Sequence, residues 1–121
     1  MSAIPLAEDV LEPAVAVMPL SVAAGKLGQP VSKLRQWLHE GHLLAVRRDR
    51  ELVVPAALIN GDGLVKGLVG TLTVLSDSGF TPTEALRWLF TEDDSLPGSP
   101  IEALRGNRGR EVKRRAQASA L

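Results

Sequence analysis

Ser32, Lys33, Arg35, Gln36 and His39 alternate with apolar residues in the stretch GQPVSKLRQWLHEGHLLAVRRDRELVVP, residues 28–55, and Arg47, Arg48 and Arg50 follow shortly after. Hydroxyl, amide, imidazole and guanidinium groups of this kind hydrogen-bond base edges, while Lys and Arg neutralise phosphate. The chemistry open to these residues is recognition of a nucleic acid rather than the making or breaking of bonds. The crowding of charge is local. Residues 31–50 carry five Lys or Arg in a chain whose formal net charge is zero.

Whether those side chains share one surface depends on the elements that carry them. At about 100° per residue, Val31, Leu34, Trp37 and Leu38 fall on one arc of a helix predicted over 30–40. The five polar residues then point outward. A first helix is predicted over 22–27 with Ser21 as its N-cap, ended by Gly28, and Pro30 suits the first turn of the second. Ala24 and Gly28 stand four apart, where a helix-turn-helix needs a small residue and a turn glycine. Gly41 stops the second helix.

Beyond it, β-leaning runs at 44–47 and 51–54 surround the polar turn Arg48-Asp49-Arg50 and predict a short hairpin, which Pro55 closes. Helix, tight turn, helix and basic hairpin, in that order, make a winged helix-turn-helix. Wing arginines can grip phosphate or enter a narrow minor groove. The plain alternative is an amphipathic helix with a solvated charged face beside an ordinary hairpin. The turn chemistry, the unbroken apolar arc and the order of elements favour DNA binding.

Around this unit, residues 1–18 hold Pro5 and Pro13 and little helical periodicity, which predicts a flexible N-terminal arm. The winged unit is expected over 19–60 and a helical C-terminal extension, packed on it, over 61–121. In that second half Val65, Leu68, Val69, Leu72 and Leu75 keep helical spacing. Thr81-Pro82-Thr83-Glu84 and Ser99-Pro100-Ile101-Glu102 each combine a cap, a first-turn proline and an acid three residues after the cap, which predicts two further helix starts. Trp37 and Trp88 lie in apolar arcs and are expected as core anchors. The fold class is mainly α with a small β-hairpin: a winged helix-turn-helix followed by a helical C-terminal subdomain.

A chain of 121 residues without cysteine has room for one packed domain with an appended subdomain and suits a reducing compartment. The start MSAIPLAEDVLEP lacks a basic opening and an unbroken apolar run, so neither a signal peptide nor a membrane span is predicted. The expected location is cytoplasmic, with the nucleoid. Charge comes in blocks of −2 over residues 1–30, +3 over 31–50, −5 over 51–97 and +4 over 98–121. The last block holds Arg110, Lys113 and Arg114 at helical spacing, a secondary basic patch that would touch phosphate, bind a protein or cap the helical half. His39, Glu40 and His42 lack a third strong ligand, and Gly41 separates the two histidines, so no metal is expected. TEDDS at 91–95 is read as an acidic loop and Gly61-Asp62-Gly63 as a turn. With no catalytic signature, neither an enzyme nor a cofactor is expected.

The segments LGQPVSKLRQWLHEGHLLAVRR, VKGLVGTLTVLSDSGF, EALRWLF and REVKRRAQA, taken in order, closely resemble the small actinobacterial winged-helix DNA-binding proteins known in mycobacteria as serine/threonine-kinase substrates. The resemblance runs from Pro19 to Leu121. It implies a winged helix-turn-helix with a helical extension and double-stranded DNA as partner. The wing region is also similar to excisionase-like and MerR-like modules. In the mycobacterial relatives a kinase phosphorylates a threonine of the N-terminal arm and so opposes DNA binding. Here the first threonine is Thr71, and Ser2 is the one hydroxyl before Ser21, so the implied kinase has no matching residue in the arm.

The function expected is that of a transcriptional regulator, a monomer or weak dimer, with the 30–40 helix in the major groove. Ser32, Arg35, Gln36 and His39 would read bases or fix register, with Lys33 on phosphate. Arg47, Arg48 and Arg50 would hold the flanking backbone or minor groove. The alternative is a protein-interaction module, antitoxin-like or an adaptor, acting through the C-terminal helices.

Overall fold

A computed structural model describes residues 5–96 and 98–119. Residues 1–4, which include Ser2, and the last two residues lie outside the described set. The elements run β1 (Val17–Pro19), α1 (Leu20–Leu27), α2 (Val31–Glu40), β2 (Val46–Arg48), β3 (Glu51–Pro55), a 3-10 turn (Ala56–Leu58), β4 (Ile59–Asn60), β5 (Gly63–Leu64), α3 (Leu68–Asp77), α4 (Pro82–Phe90), α5 (Pro100–Arg105) and α6 (Gly109–Ser119). No helix among the described residues is long and apolar enough to cross a membrane.

The first half is a winged helix-turn-helix. β1, β3 and β2 form an antiparallel sheet in that spatial order, with Met18 opposite Val54 and Val46 opposite Val53. Apolar residues on one face of each element close over a shared core: Leu20, Ala23, Ala24 and Leu27 from α1, Leu34 and Leu38 from α2, Val46, Val53 and Val54 from the sheet. A fully buried leucine of this kind contributes roughly 1.5–3 kcal/mol relative to exposure. The turn between α1 and α2 works as its glycine requires. Gly28 adopts φ 63°, and the Gln29 N–H bonds back to the Ala24 carbonyl at 3.0 Å, closing the helix end.

The second half is helical. α3 packs on α6 and α4, and α5 packs on α4 and α6. Both predicted helix starts are present as reciprocal capping boxes. Glu84 N–H donates to the Thr81 hydroxyl while the Thr81 N–H donates to Glu84, and Ser99 and Glu102 repeat the pattern. Arg105 ties the halves together by donating to the Ala57 and Ile59 carbonyls at 3.0 and 2.9 Å.

Four expectations are corrected. The first helix starts at Leu20 with Pro19 as its cap, because Leu20 is drawn into the core and Ser21, exposed in the first turn, makes no capping bond. The described part of the 1–18 arm is packed rather than loose. The Ala7 N–H donates to the Ala45 carbonyl at 3.0 Å, Leu11 is buried, and Val17 pairs in the sheet. Burial of Ala7 and Leu11, with backbone pairing, outweighs the two prolines. The winged unit therefore reaches back before residue 19. A second, smaller hairpin joins β4 to β5 across the expected 60/61 boundary. Finally, the wing turn is Asp49-Arg50 alone, and Arg48 belongs to β2, opposite Glu51.

Candidate nucleic-acid interface

α2 earns its outward face from its inward one. Leu34 and Leu38 are buried and Trp37 and Val31 half-buried, so Ser32, Arg35, Gln36 and His39 are left exposed, with Lys33 half-buried. The helix has no acidic residue in its first turn and, among the described residues, no side-chain cap. The Lys33 N–H closes on the Pro30 carbonyl at 3.0 Å, which leaves the Val31 and Ser32 N–H groups ahead of it for a phosphate oxygen. At the far end Gly41 adopts φ 76°, and the His42 N–H closes on the Trp37 carbonyl at 2.9 Å. His42 Nδ1 lies 3.8 Å from a Glu40 carboxylate oxygen, which leaves His39 as the histidine of the exposed row.

The hairpin carries its arginines on two different sides. Side chains alternate along a strand, so Arg47 and Arg48 must diverge. Arg47 is exposed, with one long bond of 3.4 Å from its guanidinium to the Arg50 carbonyl. Arg50 is exposed at the tip. Arg48 shares the side of buried Val46 and turns onto the N-terminal segment. There its Nε and Nη2 donate to the two carboxylate oxygens of Asp9 at 2.7 and 2.9 Å, and its Nη1 to the Val15 carbonyl at 3.3 Å. The hydrogen bond from Arg48 holds the Asp9 carboxyl below the usual carboxylate range, and the same bond raises Arg48. The expected set of three wing arginines is thus corrected to two that face solvent, Arg47 and Arg50. Asp9, the partner that sequence reasoning missed, stands 39 residues away and leaves no spacing signal.

Between Arg48 and Glu51 the turn is made by two non-glycine residues at positive φ, Asp49 at 51° and Arg50 at 66°. Two positive φ values in a two-residue loop define a type I′ turn, for which Asn-Gly and Asp-Gly are the favoured pairs. Holding an arginine there costs about 1–2 kcal/mol against glycine. Strain of this kind gathers at functional positions.

α1 packs against both α2 and β3, so one short helix supports the exposed row and the hairpin together. A polar helix face with uncapped leading N–H groups beside a two-arginine hairpin can meet phosphates and base edges. Two family descriptions match this chain in tandem: "DNA-binding protein Rv2175c, wHTH domain" over residues 3–59, and "Rv2175c C-terminal domain of unknown function" over residues 65–120. The chain belongs to the Rv2175c family. It is similar to the DNA-binding protein Rv2175c of Mycobacterium tuberculosis (strain ATCC 25618 / H37Rv), with 45 % identity over 133 aligned residues, covering 99 % of this chain and 91 % of the relative. The NMR structure of Rv2175c superposes with a TM-score of 0.87 at 44 % identity, covering 99 % of this chain and 91 % of that one.

Membership places the arm inside the family's winged domain, since the first match begins at residue 3. It leaves the C-terminal half without an assigned role. Thr71, the first threonine of this Rv2175c-family chain, is buried, and its hydroxyl donates to the Gly67 carbonyl at 2.8 Å. That threonine is not presented at the surface.

Proposed function

We propose that this chain binds double-stranded DNA as a transcriptional regulator, with α2 in the major groove and the β2–β3 hairpin on the flanking backbone or minor groove. The observation that carries the reading is the exposed row of Ser32, Arg35, Gln36 and His39 on a helix whose opposite face is anchored by buried Leu34 and Leu38. Arg and Gln at such positions hydrogen-bond purine edges in pairs. Lys33, Arg47 and Arg50 then supply phosphate contacts, and the Rv2175c family description of the winged domain supports the partner. The chain acts as a binder with no catalytic step, as a monomer or weak dimer, in the nucleoid. A serine/threonine kinase acting on the exposed Ser32 would set a phosphate against the DNA backbone and oppose binding.

The experiment is selection of bound sites from random duplex DNA by the full chain at fixed salt. A short enriched motif is expected, and Arg35→Ala with Gln36→Ala should flatten it, each lost base contact reducing discrimination by about 1–3 kcal/mol. Binding with no enriched motif would make the protein a nonspecific DNA coat rather than a site-reading regulator.

A further inference from the structure

The C-terminal half gathers its own positive charge, and three of its six arginines are already committed. Arg105 is held by two backbone carbonyls and Arg115 by Asp93 at 3.2 Å. Arg108 makes an exposed pair with Glu111 at 3.3 Å. Among the described residues of this half, Lys66, Arg87, Arg110, Lys113 and Arg114 make no ion pair. Lys66, Arg110 and Lys113 do not scatter. Together with Arg108 they line one cleft of about 600 Å³ between the start of α3 and the start of α6, and among the described residues Glu111 is the only carboxylate in its wall. Arg87 and Arg114, the latter expected in the secondary basic patch, do not line it.

We infer that this cleft is a second DNA-backbone site, which holds phosphates of the duplex flanking the segment read by α2. The inference rests on the DNA-binding reading of the first half and gives the C-terminal half a share in it. Three unpaired cations beside the Arg108–Glu111 pair, in a chain of zero net charge, concentrate positive potential that an anion would relieve. The walls suit a chain of phosphates better than a small ligand. Gly67, Gly70 and Gly109 line the cleft, and a Cβ added at Gly70 or Gly109 would meet nothing within 4 Å, so a broad polyanion can approach the backbone. Among the described residues no buried side-chain nitrogen or oxygen lacks a partner, so no prepared polar group waits to fix a small molecule. The cations sit instead on long side chains in an open cleft, the usual arrangement for sequence-independent phosphate contact.

The test is a titration of the full chain with site-bearing and random duplexes across a range of salt. Arg110→Ala with Lys113→Ala should flatten the slope of log affinity against log salt by about two units and weaken both duplexes alike. Arg110→Lys with Lys113→Arg should restore the slope, because phosphate contact needs charge and not shape. Gly70→Glu is the second route: it improves helix propensity in α3, keeps the core intact and brings a carboxylate into the cleft, so it should also flatten the slope. A slope unchanged in both the double variant and Gly70→Glu would overturn the proposal while leaving α2 as the DNA-reading element. So would capture of poly-glutamate by the unaltered chain but not by the double variant, with duplex binding unchanged, since the cleft would then serve an acidic protein. Failure of the unaltered chain to bind either duplex would overturn the DNA reading itself.

Discussion

Arg48 and Asp9 form a two-pronged ion pair, with Nε–Oδ2 at 2.7 Å and Nη2–Oδ1 at 2.9 Å, that fastens the N-terminal segment to the wing. Neighbouring arginines in the hairpin therefore have different work. Arg47 faces solvent and is free to meet phosphate, whereas Arg48 belongs to the fold. Arg47→Ala should flatten the salt dependence of duplex binding by about one unit. Arg48→Ala should leave that slope alone and instead expose the Ala7 amide, whose bond to Ala45 the segment maintains. Hydrogen exchange and a salt titration on the same two variants check this. A slope change in Arg48→Ala equal to that in Arg47→Ala would contradict the assignment.

Arg50 occupies a position where glycine would fit better, at φ 66°. Arg50→Gly should leave stability unchanged or raise it by up to about 1 kcal/mol, since the left-handed conformation no longer opposes a Cβ. The same change should weaken duplex binding. Thermal melting and a binding isotherm, read together, test the pair of opposite signs. Lost stability would mean that the fold itself depends on the arginine.

Acid should destabilise the protein in a defined direction. The Asp9 carboxyl is held low chiefly by Arg48, those of Glu84 and Glu102 by the backbone N–H of Thr81 and Ser99, and that of Asp93 chiefly by Ser95. Each binds its proton less tightly folded than unfolded. Their contribution is present above the ordinary carboxylate range, about 3.9–4.3, and is lost as pH falls through the lowered native values. Melting temperature should stay level from neutrality to about pH 5 and fall steadily below it. A melting temperature that holds or rises in acid would show that these bonds do not survive in solution.

The parts of the structure legible in the sequence are those written in local chemistry. The α2 wheel, the Gly28 turn and the two capping boxes depend on residues within four positions of one another, and all appear as read. Packing overrode local grammar at Leu20, whose burial starts α1 one residue before the apparent Ser21 cap. The β4–β5 hairpin has two-residue strands, too short to show any alternation. Arg48 was half legible. Strand alternation separates it from Arg47 once Arg48 is placed in β2 and not in the turn, but nothing in the order of residues points to Asp9.

The most direct test of the central claim is a titration of the isotopically labelled full chain with a bound duplex, followed by amide chemical shifts. The largest changes are expected along α2, from Val31 to Glu40, and at Arg47 to Arg50, with a further set at the Lys66 and Asn107–Lys113 cleft. Changes confined to α4, α5 and the 91–96 loop, with α2 silent, would contradict it.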